Sequence, residues 1–434
     1  MASTSCPILL TRRSNLVQLR IPFSLSLLAV LLSAAMPALA QQSPIDPNWV
    51  QQPRLPELPP MSNQPLLPDT LQFRLGQTLE HDSNVFRLPG SLPRQSDTYG
   101  VTTLGLKFDK RYGLQRIELD VSAQDYRYQH NTALDFTAVN YVAAWRWSLT
   151  PRFTGNVTAN RSEYIDNTSL VQSTGVVNHR TEAAKAIDGE YDLGSAVRLL
   201  AGVFDRSVNN SVTAVSIANT SVTGGDVGVK YVFNTGNTLA YRYLKGNGEY
   251  NGLPTSTLPS RHFSDVEHEF SFEMRPTGST NLQGRVSHLE RKRDDSAGSE
   301  FSGVVGRVNA NWVITGKSSL DVGVIREISS YQPNALIPSY FVSGRVYISP
   351  VWKPTEKTAV RLRFDEGVRD YKGSLEPGYA GRRDNLNQSG VSFEWEPRRN
   401  VKLAASLAYD KRSSNIQNLD YKANVLGLSA LVKF

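Results

Sequence analysis

The sequence predicts an all-β protein: a transmembrane antiparallel up-and-down β-barrel of 18 strands, with 16 as the nearest alternative count. Three features carry that prediction. From residue 69 onwards apolar residues recur at every second position, in runs of about ten, the length of a tilted membrane-crossing strand. Short connections with turn chemistry alternate with longer, more polar ones. The chain closes on an amphipathic strand whose last residue is Phe434. Mean hydropathy is −0.34. That excludes a bundle of apolar helices but is ordinary for a barrel, which shows lipid only every second residue.

Residues 1–40 read as a signal peptide. Arg12, Arg13 and Arg20 form a basic start without an acid, 21–35 is an apolar run, and Pro37-Ala38-Leu39-Ala40 ends it on an A-x-A cleavage site. Residues 41–68 carry eight prolines. Proline cannot donate to a sheet ladder, so this stretch is expected as an extended periplasmic arm. Residues 69–434 are the expected outer-membrane barrel.

Its strands begin with Leu71, Phe73 and Leu75 and continue with sets such as Ile117, Leu119, Val121 and Ala123. Val227, Val229, Tyr231 and Phe233 form another set, as do Val266, His268, Phe270, Phe272 and Met274. The last is Leu426, Leu428, Ala430, Val432 and Phe434. No long stretch has a 3.6-residue period, so no sizeable helix is expected after residue 40. Eight short connections fall at 109–113, 149–152, 191–195, 234–237, 275–279, 315–318, 353–357 and 396–400. Nine longer ones fall near 81–97, 129–134, 163–178, 207–221, 245–262, 290–300, 328–338, 369–384 and 411–420. Seventeen connections make eighteen strands, with both chain ends on the short-turn, periplasmic side.

Two aromatic belts fit the same picture. Trp145, Trp147, Trp312, Trp352 and Trp395 lie near short turns in the lipid-facing phase, while Tyr126, Tyr128, Tyr243, Tyr371, Tyr409 and Tyr421 lie near the long loops. The belts and the terminal strand, which resembles the signal read by the outer-membrane assembly machinery, set the chain apart from a soluble β-sandwich or propeller.

Several function classes are excluded. Lys plus Arg is 47 against 40 Asp plus Glu, a formal charge of +7, too mild for a nucleic-acid binder of this length. The single Cys6 lies in the signal peptide and can build neither a disulfide framework nor a thiol enzyme. The six His (81, 130, 179, 262, 268 and 288) are scattered without metal-ligand spacing, so neither a metal nor another cofactor is expected. Thr315-Gly316-Lys317-Ser318 mimics the end of a P-loop, but position 311 is Asn and no helix follows. No G-x-S-x-G or placed Ser–His pair points to an enzyme.

The lumen-facing phase is charged. The tenth strand, near 263–274, points Asp265, Glu267, Glu269 and Glu273 inward, and later strands point Arg307, Arg345, Arg361, Arg363 and Lys402 inward. Opposed charged walls would set a transverse field across a water-filled pore and give solutes a path. The alternative is that these charges neutralise one another between strands, as Glu269 and Arg285 would if they lay opposite each other. Asp82, Asn84, Phe86 and Arg87 cluster where the first strand leaves the membrane. Such a set can hydrogen-bond sugar hydroxyls, or it can anchor the first loop through an Asx-turn and a salt bridge.

The segment Leu75-Gly-Gln-Thr-Leu-Glu-His-Asp-Ser-Asn-Val-Phe-Arg-Leu88, followed by Ser96-Asp-Thr-Tyr-Gly100, is distinctive. With Tyr126-Arg-Tyr128 and Trp145-Arg-Trp147-Ser-Leu-Thr-Pro151, it resembles the EpsL-type outer-membrane proteins of exosortase-associated exopolysaccharide gene clusters. The likeness spans nearly the whole mature chain in architecture, and residues 70–165 carry its specific part. It implies a role in making or exporting extracellular polysaccharide, and it supplies no catalytic residues.

Three readings follow. The first is an outer-membrane conduit or assembly factor for exopolysaccharide, with polysaccharide or oligosaccharide, membrane lipid, the assembly machinery and periplasmic polysaccharide-export proteins as partners. The second is a general diffusion porin or sugar-uptake channel. The weakest is an outer-membrane polysaccharide hydrolase.

Overall fold

The computed structural model describes residues 70–165, 177–194, 196–211, 219–251, 262–293, 300–331, 339–373 and 380–434. The expected signal peptide and proline-rich arm lie outside the described residues.

Eighteen strands form one closed antiparallel sheet in chain order. They are β1 (Thr70–Asp82), β2 (Asp97–Tyr112), β3 (Gln115–Tyr128), β4 (Phe136–Thr150), β5 (Phe153–Ile165) and β6 (His179–Asp192). Next come β7 (Val197–Asn210), β8 (Asn219–Val232), β9 (Thr238–Asn251), β10 (His262–Met274), β11 (Thr280–Arg293) and β12 (Phe301–Thr315). The last are β13 (Ser318–Tyr331), β14 (Ser339–Thr355), β15 (Thr358–Gly373), β16 (Arg383–Arg398), β17 (Val401–Ser414) and β18 (Tyr421–Lys433).

Closure occurs between β1 and β18, in register from Arg74↔Lys433 to Asp82↔Val425. The last residue joins the ladder: Phe434 N–H donates to the Phe73 carbonyl at 2.9 Å, and Phe73 N–H donates back at 3.2 Å. Closure leaves no free strand edge, as a backbone in lipid requires. Because strand side chains alternate, one phase of each strand faces outward. Leu71, Phe73, Leu104, Ile187, Val227, Phe270, Phe364, Leu407 and Leu428 are among the exposed apolar residues of that outer band. A bilayer supplies the contacts that such a surface lacks in water.

All eight short reversals lie where the sequence places them, with small shifts. At the first, the ladder continues through Tyr112↔Gln115, so the turn is Gly113-Leu114 rather than 109–113. Gly113 takes φ +60°, the left-handed backbone that a two-residue hairpin demands. The strands are 13 to 17 residues long, longer than the apolar runs. β9 runs to Asn251 and β11 to Arg293, into segments expected as loops. Beyond the bilayer a strand needs only ladder partners, not apolar side chains, so its polar end reads as loop.

The tyrosine belt needs correction. Tyr126, Tyr128, Tyr371 and Tyr421 belong to the inward phase, and only Tyr243 and Tyr409 share the lipid-facing one. Tyr128 stacks on Tyr99, and Tyr126 on Phe136, each with ring centroids 4.5 Å apart. Here the barrel wall rises past the membrane, and side chains of the first loops line one side of its mouth. Val85, Leu134 and Ile165 form a small core there with Phe86, Phe136, Tyr128 and Val177 packed against it. Leu134 comes from a 3-10 turn, Thr132–Leu134, the one helical segment among the described residues. The five tryptophans, by contrast, all keep the lipid-facing phase.

Candidate functional site

The lumen wall is built by strand register. Cross-strand partners place six cations in one row that winds around the inside. Arg198 faces Lys230, and Lys230 connects through Ala240 and Ser271 to Arg285. Arg285 faces Arg307, which leads through Ile325 to Arg345 and then through Gly367 and Leu386 to Arg412. The row starts at the short-turn end of β7 and finishes at the loop end of β17.

Acids occupy the two flanking inward rows. One holds Glu190, Glu269, Glu327 and Asp384, and the other holds Glu273, Asp365 and Asp410. A residue and its diagonal neighbour two positions along are within reach of long side chains. The pairs form on that diagonal: Arg285–Glu269 at 3.2 Å, Arg307–Glu327 at 3.3 Å and Arg345–Asp365 at 3.8 Å. Arg198 and Lys230 both pair with Glu190.

The expected separation into opposed acidic and basic walls therefore gives way to interleaved bands. Arg361 lies 3.8 Å from Glu394, which Lys402 also approaches at 2.8 Å, and Arg363 binds Asp365 at 2.6 Å. On β10, Asp265 holds Arg291 through two contacts of 2.7 Å. Glu267 and Glu273 are buried on the same inner face. Glu269 is cross-strand to Ser287, and Arg285 to Ser271, so the pair foreseen from the sequence forms two residues out of the foreseen register.

Arginines also lie on aromatic rings. A Cβ on Gly248 would meet the Phe263 ring at 2.2 Å, so the ring lies flat on bare backbone, with the Arg291 guanidinium 4.3 Å above it. Arg206 stacks in the same way on Phe204 at 4.5 Å, and Arg363 on Tyr347 at 4.7 Å. The strip formed by β17, β18 and β1 differs. Ala404, Ser406, Gly427, Ser429, Gly76 and Thr78 face inward there and are small. The strip is small-lined only at these levels, since Arg74, Glu80 and Lys402 share its inward phase and Glu80 reaches over Gly427.

At the mouth, the loop cluster is a tightly bonded latch. Asn84 N–H donates to Asp82 Oδ1 at 2.8 Å, closing an Asx-turn. Arg87 Nη1 donates to Asp82 Oδ2 at 2.6 Å, and its Nε donates to Asp410 Oδ2 of β17 at 3.2 Å. Asn84 Nδ2 donates to the Lys422 carbonyl of β18 at 3.1 Å. Asp82, Asn84 and Arg87 are buried, and Phe86 packs on the mouth core. Next to it, the Asp97 carboxylate accepts from the Asn131 and His130 amides at 2.7 and 3.2 Å, tying down the second loop. Burial opposes ionisation of Asp97, but hydrogen bonds from Asn131, His130 and Thr98 outweigh it and draw its pKa from 3.8 to about 2.

Sequence reading missed Arg198, Lys230 and Arg412 as members of a row, and Arg206 altogether. Each has the inward phase, which was legible, but the row needs the register of ten strand pairs. Among the described residues no cluster of three or more His, Asp or Glu is placed to hold a metal.

The family model described as Putative beta-barrel porin 2 matches residues 277–434, a little over a third of the chain. Among solved structures, Pseudomonas aeruginosa OpdK with vanillate is similar at 14% identity, over 84% of this chain and 99% of that one, with a TM-score of 0.45. Pseudomonas aeruginosa OccK9 (OpdG) is similar at 12% identity, over 84% and 98%, with a TM-score of 0.45. Pseudomonas aeruginosa OccK2 (OpdF) in complex with glucuronate is similar at 12% identity, over 84% and 98%, with a TM-score of 0.44. No curated protein matches the chain. The closed barrel, its apolar outer band and the porin family model make this an integral outer-membrane protein of porin-like architecture.

Proposed function

We propose that this barrel is a passive diffusion channel for small polar and charged solutes. The observation that carries the proposal is the wound row of cations between two rows of acids, facing a strip of small side chains. Alternating charge across a wet lumen orients dipolar solutes and offers successive weak contacts, which favour entry without trapping. A barrel of this strand number can leave an aqueous channel. The porin family model over the C-terminal strands supports the same reading. Transport of this kind makes and breaks no covalent bond, so no catalytic residue is assigned. Swelling of liposomes that hold the purified barrel tests it: monosaccharides and sugar acids should enter, and a swelling rate equal to that of empty liposomes would overturn it.

A second reading, a conduit or assembly factor for exopolysaccharide, is supported by the resemblance at 75–88 and 96–100. Polysaccharide and periplasmic export proteins would then be its partners. A deletion strain separates the two. Loss of secreted polymer with normal solute uptake favours the conduit, and the converse favours the porin.

A further inference from the structure

The short-turn rim carries its excess charge on one side. Over the turns and the three strand residues flanking each, the arc from the β12–β13 turn through Phe434 to the β4–β5 turn carries eleven cations against Glu356 and Glu396. The remaining turns, between β6 and β11, balance Arg198, Lys230 and Arg275 against Glu190, Asp192 and Glu273. Arg152, Lys317, Lys353, Lys357, Arg398 and Arg399 are exposed and form no ion pair among the described residues. Lys317 Nζ donates to the Pro354 carbonyl at 3.1 Å and Lys357 Nζ to the Pro397 carbonyl at 3.4 Å, so each leans along the rim onto the next turn.

The same arc carries every described tryptophan. Trp145 and Trp147 precede Arg152, and Trp312 precedes Lys317. Trp352 precedes Lys353 and Lys357, and Trp395 precedes Arg398 and Arg399. At the β2–β3 turn Tyr112 takes that place, with the Lys110 ammonium 5.3 Å from its ring centre. These aromatics face outward; the turns between β6 and β11 have outward Tyr191, Tyr231 and Phe233 but no tryptophan and no excess of cations.

We infer that this arc is a docking surface for the anionic headgroups of phospholipids in the leaflet at the short-turn end. Outward tryptophans settle at headgroup depth. Cations a few residues further along then sit at the level of the phosphates. A soluble acidic partner would need the cations but would give no reason for lipid-facing tryptophans to accompany them turn by turn. Each Lys or Arg near an anionic membrane surface is worth about fivefold in affinity. The inference is independent of what passes through the lumen.

Native mass spectrometry of the purified full-length barrel tests it, with phosphatidylglycerol or phosphatidylcholine added at equal concentration. Wild type should retain phosphatidylglycerol preferentially. The quadruple variant Lys353→Gln/Lys357→Gln/Arg398→Gln/Arg399→Gln should lose that preference by about tenfold or more. Its fold is checked by heat-modifiable migration. Lys372→Gln/Lys422→Gln, at the loop end, should keep the preference. It should also fade as salt shortens the Debye length from about 10 Å at 0.1 M to about 3 Å at 1 M. Equal retention of both lipids by wild type, or an unchanged preference in the quadruple variant, would overturn the inference.

Discussion

Arg87 joins three parts of the chain with one side chain. It sits in left-handed backbone at φ 54°, is buried, and bridges the end of β1 to β17 through Asp82 and Asp410. Removing the cation leaves two buried carboxylates facing each other, and breaking a buried pair in this way costs about 3–5 kcal/mol. Arg87→Gln should therefore lower the temperature of heat modification and make the first loop more sensitive to protease. Arg87→Lys should recover only part of the loss, because an ammonium lacks the fork that spans both acids. Asp97 sets a pH limit on the neighbouring loop. Its carboxylate is held down near 2 from 3.8, so its contribution is complete above the higher value and is lost as pH falls towards the lower one. The protection of the His130 and Asn131 amides relative to their intrinsic exchange rates should be constant down to about pH 4 and fall below it, whereas Asp97→Ala should show low protection throughout. Asp82, Asn84 and Arg87 were legible as a cluster from their spacing. Their partners Asp410 and Lys422 were not, because more than 300 residues separate them in sequence.

At the scale of the element, β18 is the closing piece. Phe434, the residue that follows it, exchanges two backbone hydrogen bonds with Phe73 and leaves its ring exposed. Deleting Phe434 should lower the amount of heat-modifiable barrel in the outer membrane, as read from gels of membrane fractions. An unchanged amount would remove the terminal residue from the assembly account. The strands themselves were legible because a period of two survives any register. What depends on register was not. The Glu269–Arg285 pair formed two residues out of the foreseen alignment, and four of six loop-end tyrosines turned inward. The charge bands give a sharper prediction. Glu269 is buried, so Arg285→Gln/Arg307→Gln should cost stability, by up to about 3–5 kcal/mol for the Glu269 pair, and its fold is checked by heat-modifiable migration before recording. It uncovers Glu269 and Glu327, and the reversal potential in a salt gradient should shift towards cation selectivity.

For the whole molecule, the sequence pattern was enough for the strand number, the alternation of turns and loops, and the sign of the outer band. The interior was harder. Alternation along each strand shows which charges point inward, but only the closed sheet shows that Arg307, Arg345, Arg361, Arg363 and Lys402 each have an acid beside them. Interleaving of this kind predicts a channel with modest ionic preference and strong sensitivity to single charge removals. Planar-bilayer recording of the purified wild-type barrel tests the central claim most directly. Discrete conductance steps with a reversal potential near zero in a salt gradient are the predicted result. Silent membranes, with the barrel folded and inserted, would contradict an open, charge-banded lumen.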